Sequence, residues 1–119
     1  MKKISIVVPC YNEEATVQRF YDAVQTVYRE KIAPIWPAYQ LEYWFIDDGS
    51  TDRTLILLDL IQQLDADHVH FLSFSRNFGK EAALYAGLQH ATGDLVVVMD
   101  VDLQDPPALL PQMMSGILE

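Results

Sequence analysis

Cysteine is nearly missing: Cys10 is the single one in 119 residues. One thiol excludes an internal disulfide framework and suits a reducing compartment. Basic residues are scarce as well, with 8 Lys and Arg against 17 Asp and Glu, for a formal net charge of −9. That balance argues against nucleic acid as a partner, because such affinity rests on cations that neutralise phosphates. It argues equally against an anionic membrane surface for this segment. No apolar run approaches the roughly 18 residues of a spanning helix. Lys2 and Lys3 precede only the short run Ile4–Val8 before Pro9, too little for a signal-peptide core. The chain therefore reads as soluble and intracellular. Several motifs are also lacking. There is no G-x-G-x-x-G, no G-x-S-x-G and no G-x-x-x-x-G-K-[ST]. Asn77-Phe78-Gly79-Lys80-Glu81 lacks both the first Gly and the final hydroxyl of the last. Cys10, His68, His70 and His90 have no zinc-site spacing. Repeats and low-complexity tracts are absent.

What is present is an alternation. Ile4–Val8 is a β-branched run closed by Pro9. Asn12 can cap a helix beginning at Glu13, on which Val17, Phe20, Tyr21, Val24, Val27 and Tyr28 recur at helical spacing. Ala33–Tyr39, with two prolines, reads as a loop and Leu41–Ile46 as a strand. Asp47-Asp48-Gly49-Ser50 is turn chemistry, with Ser50 or Thr51 capping a helix to about Leu64. Val69–Phe74, Lys80–His90 and Leu95–Met99 then read as strand, small-residue helix and strand, and Pro106 and Pro107 fit the start of a last helix. This βαβαβαβα order predicts an α/β fold, a mostly parallel sheet between two helical layers. Ligands of such sheets sit beyond the carboxyl ends of the strands. Pro9–Glu14, Asp47–Ser50, Arg76–Lys80 and the acids after Met99 all fall there.

The last of these loops is the most unusual. Asp100 and Asp102 follow an apolar strand, two residues apart in a segment read as extended, so both point the same way. At about 4 Å two such charges repel by roughly 4 kcal/mol at an effective dielectric near 20. One acid can stay protonated, a base can pair them, or a cation can bridge them. No Lys or Arg lies in the stretch. Oxygen-only ligands suit Mg²⁺ or Mn²⁺, which can hold a diphosphate and neutralise a leaving group. The plainer reading is a solvated turn with helix-capping acids. Asp47 and Asp48 could likewise be only a turn, or could hydrogen-bond a nucleobase edge or ribose. Arg76 and Lys80 are surface charges or phosphate contacts. Cys10, at the end of an apolar strand, reads as core, and Tyr11 either stacks on a base or packs.

Together the segments VVPCYNEE, FIDDGSTDRT, SRNFGKEAALYAGL, ATGD and DVDLQDPP resemble the family 2 glycosyltransferases of the GT-A, Rossmann-like fold. The resemblance covers Ile4 to Pro111, and is greatest to the polyisoprenyl-phosphate glycosyltransferases. These include bactoprenol glucosyltransferases and, more distantly, dolichyl-phosphate mannose synthase. It implies that residues 1–119 are the nucleotide-sugar-binding part of a longer catalytic domain. It further implies an inverting, metal-dependent transfer of a sugar, glucose from a UDP-linked donor before a GDP-linked one, to a polyprenyl phosphate. By position, Pro9, Tyr11 and Glu13 would border base and ribose, and Asp47 or Asp48 would hold the base. Arg76 and Lys80 would face the nucleotide or its phosphates. Asp100 would sit near ribose and metal, and Asp102 and Gln104 would bind Mg²⁺ or Mn²⁺. The lipid acceptor would enter through a C-terminal part outside these residues, with helices anchoring the whole protein on the cytoplasmic side of a membrane. The fragment would self-associate through the open edge of its fourth strand or through uncovered apolar surface. Two other functions fit the same residues: transfer to a saccharide hydroxyl, and a non-catalytic nucleotide-binding module.

Overall fold

A computed structural model describes residues 1–102 and 106–118 of the chain. Four parallel strands, β1 (Lys2–Cys10), β2 (Tyr39–Asp47), β3 (Val69–Ser73) and β4 (Leu95–Val98), form one sheet in the order β3-β2-β1-β4. The helices are α1 (Val17–Val27), α2 (Thr54–Leu64), α3 (Lys80–His90) and α4 (Leu110–Leu118). The expected α/β alternation is present, and side-chain alternation along the strands explains its layers. Ile4, Ile6 and Val8 of β1 join Tyr43 and Phe45 of β2 in a core with Val17, Phe20 and Val24 of α1 and Leu58 and Ile61 of α2. Val7 and Ile46 point the other way, onto α3. There a Cβ on Gly87 would come 2.4 Å from Val7 Cγ1, so glycine is what lets this helix lie on the sheet. Leu95–Val98 takes β1 as its one strand partner among the described residues, so its outer edge is open, as expected.

Several predicted boundaries move. β1 runs through Pro9 to Cys10 rather than stopping at Val8. Val7 is the last β1 residue paired with β4. Its carbonyl accepts from Met99 N–H, while the Cys10 carbonyl accepts from Asp48 N–H on the β2 side. Alternation thus turns Pro9 toward β4 beyond that strand's end, where a missing N–H costs no ladder bond. Asn12 does not cap a helix: it adopts φ 53°, a left-handed conformation that Asn tolerates. α1 begins at Val17, after a turn in which the Glu13 carbonyl accepts from Thr16 and Val17 N–H. A π-helical turn, Tyr28–Ile32, extends it. Neither Ser50 nor Thr51 caps α2, which starts at Thr54 with Asp52 Oδ1 accepting the Thr54 N–H at 2.9 Å. The segment from Val101 to Asp102 is a turn, not extended chain. Pro107–Leu109 forms a 3₁₀ turn that leads into α4.

Candidate functional site

Parallel strands deliver their carboxyl ends to one side, and the loops that follow them lock together there. The loop after β1 is laced to the loop after β2. Asn12 N–H donates to Ser50 Oγ (2.9 Å), Thr51 N–H to Asn12 Oδ1 (2.8 Å), Glu13 N–H to Thr54 Oγ1 (2.8 Å) and Glu14 N–H to Asp52 Oδ2 (3.2 Å). The Asn12 and Ser50 side chains, which looked like helix caps, therefore bind the neighbouring loop's backbone instead. Burial works against the Asp52 charge, but bonds from Thr54 and Glu14 outweigh it and hold its carboxyl below the usual range.

The loop after β2 is braced in turn against the loop before α3. Asp48 is buried, and Oδ1 accepts Phe78 N–H at 2.8 Å while Oδ2 accepts Gly79 N–H at 3.1 Å. The Asn77 side-chain amide donates to the Asp48 carbonyl and Oδ2, each at 3.3 Å. Gly49 stands between, at φ 73°, with space for a Cβ only 2.2 Å from the Arg76 carbonyl carbon. Glycine is required here twice, by conformation and by contact.

Between these loops opens a cleft of about 310 Å³, lined by Pro9, Cys10, Tyr11, Glu13, Asp48, Lys80, Asp100, Val101 and Asp102. Seven of the residues singled out in the sequence meet there. Asp47 lies outside it, 1% exposed beneath the turn, where Oδ1 accepts the Ser50 N–H at 3.2 Å. Arg76 also lies outside, its guanidinium 4.6 Å from the centre of the Phe78 ring. Gln104 falls outside the described residues. Lining by Val101 and Cys10 was not anticipated; their place between polar neighbours was the available signal. Cys10 is in the core, as expected. Burial, then the charges of Glu13 and Asp47, push its thiol well above the ordinary range, so it is a poor nucleophile.

The acids after β4 share the cleft wall. Lys80, the first residue of α3, places Nζ 2.9 Å from Asp100 Oδ1. A base absent from the acidic stretch thus arrives from a helix 20 positions earlier. Among the described residues no group of three or more His, Cys, Asp and Glu side chains is arranged to hold a metal ion. Two carboxylates on one wall nonetheless fit Mg²⁺ or Mn²⁺, which take few protein oxygens and complete their shell with phosphate and water.

Comparison with known proteins decides the family. The description "Glycosyl transferase family 2" matches residues 5–119. The chain belongs to this family. It is 46% identical over 113 residues to the bactoprenol glucosyl transferase of Shigella phage SfX, and equally to a prophage bactoprenol glucosyl transferase homolog of Escherichia coli K12. Each match takes in 95% of this chain and 35% of the relative. The family 2 chain thus spans about a third of the length of these relatives. A putative glycosyltransferase of Bacillus subtilis, CsbB, is 42% identical over 118 residues, which are 98% of this chain and 33% of that protein. Among solved structures, a mannosyltransferase of Pyrobaculum calidifontis in complex with GDP-Man and Mn²⁺ superposes with TM-score 0.79 at 24% identity, over 99% of this chain and 33% of that one. TarS of S. aureus in complex with UDP gives TM-score 0.67 at 24% identity, over 84% of this chain and 27% of that one. The fold is the GT-A type that the sequence led us to expect.

Proposed function

We propose that this chain is the nucleotide-sugar half of an inverting glycosyltransferase that moves glucose from a UDP-linked donor to a polyprenyl phosphate. The observation that carries the reading is the meeting of Asp100, Asp102 and Lys80 with Tyr11, Glu13 and Asp48 in one cleft at the carboxyl ends of the strands. The names of the phage and prophage relatives support the acceptor and the sugar.

Pro9, Tyr11 and Glu13 border the base and ribose. Asp48, not Asp47, is the member of its pair that faces the nucleotide, because Asp47 is shut beneath the turn. Lys80 supplies positive charge to the diphosphate, a task for which Arg76 is badly placed while it lies on Phe78. Asp100 and Asp102 would hold Mg²⁺ or Mn²⁺, with Gln104 as a further ligand. Such an ion neutralises charge on a leaving diphosphate.

An acceptor phosphate is already an anionic nucleophile, so attack needs no general base, in contrast to a sugar hydroxyl. The work left to the protein is in-line positioning and stabilisation of the departing nucleoside diphosphate. No helix among the described residues is long and apolar enough to cross a membrane. In this reading, anchoring and acceptor binding belong to the remaining two thirds of a protein of the relatives' length.

Calorimetry of the chain with UDP and with GDP, in Mn²⁺ and in chelator, tests the proposal. UDP should bind more tightly than GDP, and only with metal. Asp102→Asn should weaken the metal-dependent part about tenfold or more. Equal affinity in chelator and metal would overturn the metal assignment, and a clear GDP preference would move the donor to a guanosine sugar. For the whole protein, glucose should pass to a polyprenyl phosphate and not to a free saccharide hydroxyl.

A further inference from the structure

α2 buries Thr54, Leu58 and Ile61. Its outer side is also apolar. Ile56, Leu60 and Leu64 are 53%, 49% and 86% exposed. A spacing of four places them in one row along the helix surface, a row about 12 Å long at 1.5 Å per residue. A helix on a protein surface ordinarily turns charge to solvent. Between Thr54 and Leu64 the one charged residue is Asp59.

The two ends of the row carry opposite charges. Arg53, exposed, precedes the helix, and Asp67, exposed, lies in the turn after it. Among the described residues neither enters an ion pair. A row that is apolar along its length, positive at its start and negative past its end is complementary to itself when reversed.

We infer that the outer face of α2 is a homodimer surface, on which a second copy of this chain packs its own α2 antiparallel across a two-fold axis at Leu60. In an isologous contact of this kind each pairing occurs twice. Leu60 meets its symmetry mate, Ile56 meets the partner's Leu64, and Arg53 meets the partner's Asp67. The helix dipoles run in opposite senses, which also favours the arrangement. Three side chains supply only part of the roughly 800 Å² per partner of a stable interface, so the pair is weak and concentration-dependent. A lipid surface is the poorer occupant, because Asp52, Asp59 and Asp67 stand along the helix in a chain of net charge −9 and anionic headgroups repel them. Two other surfaces compete. The open edge of β4 exposes Val96 and Val98, and α4 exposes Met113 and Ile117. Neither β4 nor α4 contains a charged residue to set a register. The pairing of α2 does not depend on the glycosyl-transfer reading.

Sedimentation equilibrium of the chain from about 10 µM to about 1 mM spans the range expected of a weak pair. The wild type should pass from monomer to dimer over that range. Leu60→Glu should stay monomeric throughout. Arg53→Asp and Asp67→Arg should each weaken the dimer about tenfold, since each turns two attractive contacts repulsive. The two changes combined should restore the affinity, a result that loss of folding cannot imitate. Val96→Lys and Met113→Lys should leave it unchanged. The inference is overturned by a wild type that stays monomeric, by a Leu60→Glu chain that pairs like the wild type, or by loss of the dimer in Val96→Lys or Met113→Lys. Failure of the combined charge swap to recover pairing, or binding of the chain to anionic vesicles that Leu60→Glu abolishes, overturns it too. Should Leu60→Glu lose its far-ultraviolet circular dichroism, the charge-swap series decides alone.

Discussion

At the amino half of the sheet Glu42 is 5% exposed and fully engaged. Ser5 Oγ and Thr92 N–H donate to one of its oxygens and Thr92 Oγ1 to the other, while Gly93 N–H donates to Ser5 Oγ. At the carboxyl end Asp100 and Asp102 open onto a cleft, with Lys80 paired to Asp100. Both ends carry acids, but Glu42 is enclosed in the fold while Asp100 and Asp102 line a cleft. Burial and bonding separate a structural acid from a candidate ligand-binding one. A structural acid has its lone pairs filled by neighbours that belong to the fold. An acid placed for a ligand shares a concave wall with a like charge. Asp48 stands between the two types: it lines the cleft, yet its oxygens brace the loop before α3.

The sharpest break is steric. Gly49→Ala forces a Cβ to within 2.2 Å of the Arg76 backbone at φ 73°. It should cost about 3 kcal/mol, read by urea unfolding, and should loosen nucleotide binding, because it separates two loops of the cleft. A loss under about 0.5 kcal/mol, the size expected of a neutral surface change, would show that the carboxyl-end loops are not locked as described.

Glu42→Ala comes next. It leaves buried donors from Ser5 and Thr92 unmatched, at a cost of about 2–3 kcal/mol, with metal-dependent nucleotide affinity retained in the folded fraction. An unchanged unfolding midpoint would erase the contrast between the two ends.

Acid sharpens the same contrast. Burial disfavours the Glu42 charge, but the bonds from Ser5 and Thr92 and the charge of Lys3 outweigh it, so the carboxyl titrates below its ordinary 4.5. A group depressed in the folded state stabilises above its unfolded pKa and loses that contribution as pH falls through the folded value. Stability should therefore decline below about pH 4.5, and Glu42→Gln should flatten that decline. An equally steep fall in the variant would assign it to other acids.

The smallest effect belongs to Lys80→Ala. Its pair with Asp100 is exposed, 62% on the lysine side, so unfolding should shift by no more than about 0.5 kcal/mol. Binding of inorganic pyrophosphate with Mn²⁺ should fall nonetheless. The opposite outcome, a large stability loss with binding intact, would class this pair with Glu42.

Hydrophobic periodicity was enough for the element order and the parallel sheet, because a strand or helix face is written in neighbouring residues, whereas the open edge at β4 was expected from the family resemblance. Motif order did the same for the family. α3 was legible to the residue, Lys80–His90, since Gly79 and the Thr92-Gly93 pair bracket it. Tertiary structure alone decided the uses of the polar side chains. Asn12, Ser50 and Thr51 have the chemistry of helix caps, and a cap and a cross-loop bond look the same in sequence. Only the position of the neighbouring strand's loop turned them into a clasp. The same holds for which of Asp47 and Asp48 lines the cleft. Both follow one strand, and alternation sends them to opposite sides. Which side holds the cleft depends on where α3 and the end of β4 come to rest. The partner of Asp100 was hidden for the same reason: Lys80 is 20 residues away in the chain and 2.9 Å away in space. Local patterns record what a residue can bond, and packing chooses which bond it makes.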